Sequence, residues 1–181
     1  MMPVSRAVAM LCPVLVVVVA CGGAPPVVGG PFPGNAASAT YRLGAAQVTL
    51  KDGTFVEKTG AGPDDIIATD LTGTKLDADL DGDGDTDEAV VLTRDDGPLK
   101  MHYLAVLSNA GDAVDVTAIP LGLNVLVEEL RLAPKGGVYV KLLKHEEGTP
   151  MDSPPTLRTT EQYRLQGGQL EKVGGEAGKT R

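Results

Sequence analysis

Nine consecutive residues carry the densest chemistry in this chain of 181: Asp79-Leu80-Asp81-Gly82-Asp83-Gly84-Asp85-Thr86-Asp87. The pattern is D-x-D-x-D-G-x-x-D. A hard cation such as Ca²⁺ takes about six to eight oxygens at about 2.3–2.6 Å. Carboxylates at loop positions one, three, five and nine converge if the chain winds round such an ion. The backbone carbonyl at position seven, Asp85, supplies a further oxygen. Gly84 at position six permits the sharp turn. Five carboxylates spaced two residues apart repel one another, whereas a plain turn needs only one or two Asp or Gly. The expectation is one structural Ca²⁺, held by the side chains of Asp79, Asp81, Asp83 and Asp87 and by the carbonyl of Asp85. Mg²⁺ fits less well because it keeps its waters.

An EF-hand would add a Glu at position twelve and a helix on each side. Position twelve here is Val90, and the flanks read as strand. The loop instead resembles the calcium loop of FG-GAP and VCBS-type repeats, where D-x-D/N-G-D-G-x-x-D runs into an aliphatic strand. The resemblance implies the same five ligands. A propeller needs several such repeats, and a single one does not imply it.

Other catalytic patterns are missing. The two histidines are His102, in an apolar run, and His145, which opens His145-Glu146-Glu147-Gly148. A zinc-protease H-E-x-x-H would need His at 149, which is Thr. No G-x-S-x-G occurs, and Ser153 sits in the stiff turn Asp152-Ser153-Pro154-Pro155. Glu128-Glu129 and Glu146-Glu147 are adjacent pairs, and neighbours on a strand point to opposite faces. Neither pair is expected to converge on a substrate, and no enzyme is expected.

The charge balance is 16 basic against 24 acidic residues, a net of −8. Nucleic acid needs clustered Lys and Arg, so it is not an expected partner. Without residues 1–20 the net is −9, and −7 of that lies in residues 77–88. The rest is close to neutral. Six aromatics and no Trp make the core aliphatic and argue against a carbohydrate site built on stacked aromatic platforms.

Residues 1–20 read as an address. Arg6 precedes an apolar run, the n-region and h-region of a secretory signal peptide. The run is short for a membrane span. Val18-Val19-Ala20-Cys21 resembles the lipobox of bacterial lipoproteins. That resemblance implies cleavage before Cys21, acyl chains on Cys21 and a membrane as partner. More than one chain is needed for stable anchoring. Gly22 resembles the class sorted to the outer membrane in a Gram-negative host. Cys12, the other cysteine, lies in the leader, so no disulfide is expected in the mature chain.

These features need a scaffold. Residues 21–40, rich in Gly and Pro, read as a flexible linker. From Tyr41 the period is two. Gln47–Lys51 alternates, and Asp52-Gly53 signals a hairpin into Thr54-Phe55-Val56. Further strands are expected at 64–71, 88–94, 99–107, 114–118, 126–132, 138–142, 159–165 and 169–173. Val125–Leu132 partly fits a helical period but is read as strand. The fold class is therefore all-β: a single antiparallel domain over 41–173, a sandwich or curled barrel. Residues 174–181 read as a flexible tail. After the leader, 61 of 161 residues are apolar, which suggests one modest core.

The order of Val48–Gly53, the acidic loop running into Ala89–Leu92, Tyr103–Leu107, Pro120-Leu121-Gly122 and Tyr163-Arg164-Leu165 resembles a group of small bacterial secreted and lipid-anchored proteins without an assigned activity. Cysteines frequent in that group near Pro150–Thr156 are replaced here by Asp152 and Ser153. Three roles are open at this point: a lipid-anchored envelope protein that binds Ca²⁺ and an envelope protein or polymer, a carrier of a small apolar ligand between membranes, or a hydrolase whose site no motif reveals.

Overall fold

The computed structural model describes residues 31–178 apart from 64, 98 and 112. The leader, the lipobox and Cys21 lie outside the described residues. Within them no helix is long and apolar enough to cross a membrane. The architecture is all-β and antiparallel. β1 (Thr40–Leu43) and β2 (Ala46–Thr49) form a small hairpin. A five-stranded meander follows: β3 (Thr54–Lys58), β4 (Ile66–Ala78), β5 (Asp87–Asp96), β6 (Leu99–Asn109) and β7 (Val114–Leu123), in that spatial order. A four-stranded meander completes the domain: β8 (Leu126–Leu132), β9 (Val138–Lys144), β10 (Leu157–Gln166) and β11 (Gln169–Ala177).

The five-stranded sheet is the middle layer. Ala89-Val90-Val91-Leu92 on β5 and Leu104-Ala105-Val106-Leu107 on β6 are buried without alternation. A strand buried on both faces reads as a continuous apolar run, because each face meets a covering layer. One face, with Ala89, Val91, Leu104 and Val106, packs on Val138, Val140, Leu142 and Tyr163 of the four-stranded sheet. The other, with Val90, Leu92, Ala105 and Leu107, packs on Tyr41, Leu43, Val48 and Leu50 of the β1–β2 hairpin. The expectation of one core is thus corrected to two, one on each side of the middle sheet. Individually each is small.

Local sequence explains the joints. Asp52 (φ 52°) and Gly53 (φ 86°) make a two-residue turn in which Lys51 and Thr54 exchange backbone hydrogen bonds. The ladder stops there. β2 stays with β1 and β3 joins β4, so the turn is a corner between layers. Pro120 sits on β7, an edge strand, where its missing N–H breaks no inner ladder. Val127 and Leu130 both face the core of β8, although three residues apart, because a bulge falls between Val127 and Glu129. Of the residues behind the helix-like spacing in the sequence, Leu126, Leu130 and Leu132, only Leu130 is buried, and Leu126 and Leu132 are exposed.

Packing begins ahead of Tyr41. Asn35 caps a short 3-10 turn, Ala36–Ser38, by accepting the Ala37 N–H. Ala36 is buried and accepts the Tyr41 hydroxyl hydrogen bond. At the other end β11 stays paired with β10 through Ala177.

Candidate metal centre

The acidic loop is the tip of the β4–β5 hairpin, whose last pair is Ala78 with Asp87. β4 runs on to Ala78 instead of ending near Leu71, through an irregularity between Leu71 and Lys75. That extension places Asp79 and Asp87 at the two feet of one loop. Leu80 is the loop's apolar anchor, buried in the core between the sheets. Its carbonyl accepts the Gly137 N–H at 2.7 Å, from the β8–β9 turn. Burying a Leu side chain contributes about 1.5–3 kcal/mol, which opposes the outward push of the loop's charges.

Asp79, Asp81 and Asp87 each offer a carboxylate oxygen within 4.8 Å of the others. Asp83 and Asp85 lie outside this group, and both are exposed. The loop winds through side-chain-to-backbone hydrogen bonds. Asp79 accepts the N–H groups of Gly82 (2.7 Å) and Gly84 (3.2 Å), Asp81 that of Asp83 (3.1 Å), and Asp83 that of Asp85 (2.8 Å). Gly82 (φ 91°) and Gly84 (φ 96°) take the left-handed backbone such winding needs.

Asp87 differs from the rest. It is fully buried, and its two oxygens accept the N–H groups of Leu80 and Asn109, each at 2.8 Å. Burial pushes its carboxyl above the ordinary aspartate value. The two N–H groups oppose that rise, and the charges of Asp81 and Asp83 add to it. Asp81 is likewise raised, first by burial and then, against the pull of the Asp83 N–H, by Asp83 and Asp79. Carboxyls raised by burial, and in lesser part by neighbouring carboxylates, are ones whose charged form a divalent cation would favour. A cleft lined by Asp81, Asp83, Ser108, Asp115 and Gly167 opens beside the loop.

Asn109, Leu80 and Gly137 have no counterpart in the motif. The available signal was Leu80 itself, one large apolar residue inside a run of Asp and Gly.

The remaining candidates sit apart. His102 shares the strand face of Leu104, and burial pushes its imidazole below the ordinary value. His145 Nε2 lies 3.2 Å from the Asn124 carbonyl oxygen. Glu128 and Glu129 do not point to opposite faces, which corrects the strand-alternation reading. The β8 bulge sets both against Lys141 on the outer face. Hydrogen bonds from Arg158 to Glu128 and from Arg131 to Glu129 hold both carboxyls below the ordinary value, so neither is poised as an acid. Comparison with protein-family models, curated proteins and solved structures finds no match for this chain.

Proposed function

We propose that the chain is a lipid-anchored cell-envelope protein whose β domain holds one structural Ca²⁺ and binds an envelope partner. The calcium reading is carried by the convergence of Asp79, Asp81 and Asp87 on one point, with Asp87 buried. An ion there joins the end of β4 to the start of β5 and offsets the mutual repulsion of the loop. The exposed side leaves room for Asp83, the Asp85 carbonyl and water to complete six to eight oxygens. The anchor reading rests on Val18-Val19-Ala20-Cys21 after an apolar leader. It puts acyl chains on Cys21 and, in a Gram-negative host, the domain on the periplasmic side of the outer membrane.

The carrier reading is less favoured. Leu104, Val106, Val138, Val140 and Leu142 pack fully buried between the sheets, in the space an apolar ligand would need. For a hydrolase, no His stands among the clustered carboxylates of the described residues.

Equilibrium dialysis of the full chain against radioactive Ca²⁺ tests the metal. One ion per chain is expected, lost in Asp81→Asn, and no binding above a control protein overturns it. Incorporation of radioactive palmitate, abolished by Cys21→Ser, tests the anchor.

A further inference from the structure

The outer face of the four-stranded sheet is hollow. A groove of about 390 Å³ crosses all four strands there, within the usual size of a small-ligand site. Its floor is Tyr139 and Lys141 of β9 with Thr160 and Gln162 of β10, all half-buried. β8 walls one side with Glu129 and Arg131, whose side chains pair at 2.6 Å. On the other side β11 contributes Gly175, which has no side chain to fill the hollow, and Glu176. Both edge strands carry a register shift against their neighbours, and such irregularities bend a sheet.

We propose that this groove binds a neutral oligosaccharide. Four features select that class. The lining has two acidic and two basic side chains, so it has no excess charge with which to hold an anion or a cation. No aliphatic side chain lines it, whereas sites for apolar ligands are mostly aliphatic or aromatic. Among the described residues, the Tyr139, Thr160 and Gln162 side chains make no hydrogen bond, although HO, amide N–H₂ and amide C=O groups are all present there. These donors and acceptors match a ligand that presents many hydroxyl groups and no charge. Tyr139 is the one aromatic residue in the lining, and stacking on a ring is a common way to hold the C–H side of a pyranose.

A peptide fits worse. β9 and β10 are paired on both sides, so their N–H and C=O groups are spent within the sheet. An extended peptide gains its affinity from such groups at a free strand edge. The shortage of aromatics read in the sequence still excludes a multi-ring platform, and this site uses one ring. The proposal depends on neither calcium nor the lipid anchor.

Amide chemical shifts of the isotopically labelled full chain are followed during titration with the tetramer of N-acetylglucosamine, the tetramer of glucose, and tetra-alanine as the peptide arm. Shifts concentrated at Tyr139, Lys141, Thr160 and Gln162 are expected with at least one sugar. Tyr139→Ala and Gln162→Ala should each weaken that binding about tenfold while leaving the unfolding midpoint in place. The proposal is overturned if neither sugar moves these amides, if tetra-alanine alone does, or if both variants bind as the parent does.

Discussion

Asp87 Oδ1 accepts the backbone N–H of Asn109 at 2.8 Å, across 22 positions of chain. The other oxygen of the same carboxylate takes the N–H of Leu80. One buried side chain thus ties the acidic loop to the β6–β7 turn, and it does so before any ion is considered. Asp87 is both a structural acceptor and a candidate ligand, and the two roles separate by mutation.

Asp87→Ala strands two backbone donors, that of Leu80 buried and that of Asn109 part-buried. Each costs about 1–3 kcal/mol, so a loss of about 2–6 kcal/mol is expected in urea unfolding. Asp87→Asn keeps one acceptor oxygen but turns an N–H₂ toward a backbone N–H, so it should fall between parent and alanine variant. Equal stability of all three would contradict the tie.

Gly137 and Gly168 both have positive φ, at 88° and 77°. A Cβ on Gly137 would collide with the Tyr163 carbonyl oxygen, while one on Gly168 meets nothing within 4 Å. Gly137→Ala should therefore unfold the domain or cost several times more than Gly168→Ala, which bears only the left-handed backbone cost of about 1–2 kcal/mol. Thermal unfolding of the two variants gives the ranking.

Asn124 (φ 47°) turns the chain from β7 into β8 and so from one sheet to the other. Its Oδ1 accepts the Lys100 N–H at 2.8 Å, and its Nδ2 donates to the Met151 carbonyl at 2.9 Å. Asn124→Gly keeps the backbone and loses the side-chain bonds. Asn124→Ala loses both. Alanine should be the worse by about 1 kcal/mol, and both variants should be cut faster by protease in the loop after His145.

Acid stability turns on Glu161, a buried carboxylate on β10. Burial pushes its pKa up, but hydrogen bonds from Lys144, Lys172 and Tyr163 outweigh that and hold it below the ordinary 4.5. A lowered folded pKa means that the unfolded chain binds the proton first as pH falls. The stabilisation is whole above the ordinary value and is lost as pH drops from there through the folded value. Glu161→Gln should lower stability at pH 7 and flatten the loss below pH 4.5; an unchanged acid limb would rule this out.

Much of the fold was legible because alternation with period two is written directly in residue type, as in Val138, Val140 and Leu142. The bulge at Glu128 was not, since it depends on how β8 meets β9, and it reversed the reading of Glu128 and Glu129. Nor was the parting of β2 from β3 after Asp52-Gly53. The turn chemistry is local, while the choice of sheet is set by which apolar face each strand must cover. In the loop, Asp79, Asp81, Asp83, Asp85 and Asp87 look alike as letters. Depth sets one of them apart: Asp87 opens the strand Asp87–Asp96 and is buried, whereas Asp81, Asp83 and Asp85 are exposed.

The central claim is that the loop is completed by Ca²⁺. Its most direct test is the thermal unfolding midpoint of the full chain in EDTA and in millimolar Ca²⁺, beside the same pair for Asp81→Asn. An ion present at about 10–100 times its dissociation constant stabilises by about 1.4–2.7 kcal/mol, which is several degrees for a domain of this size. The account predicts that rise for the parent chain and none for Asp81→Asn. Coincident midpoints for the parent chain in EDTA and Ca²⁺ would contradict it.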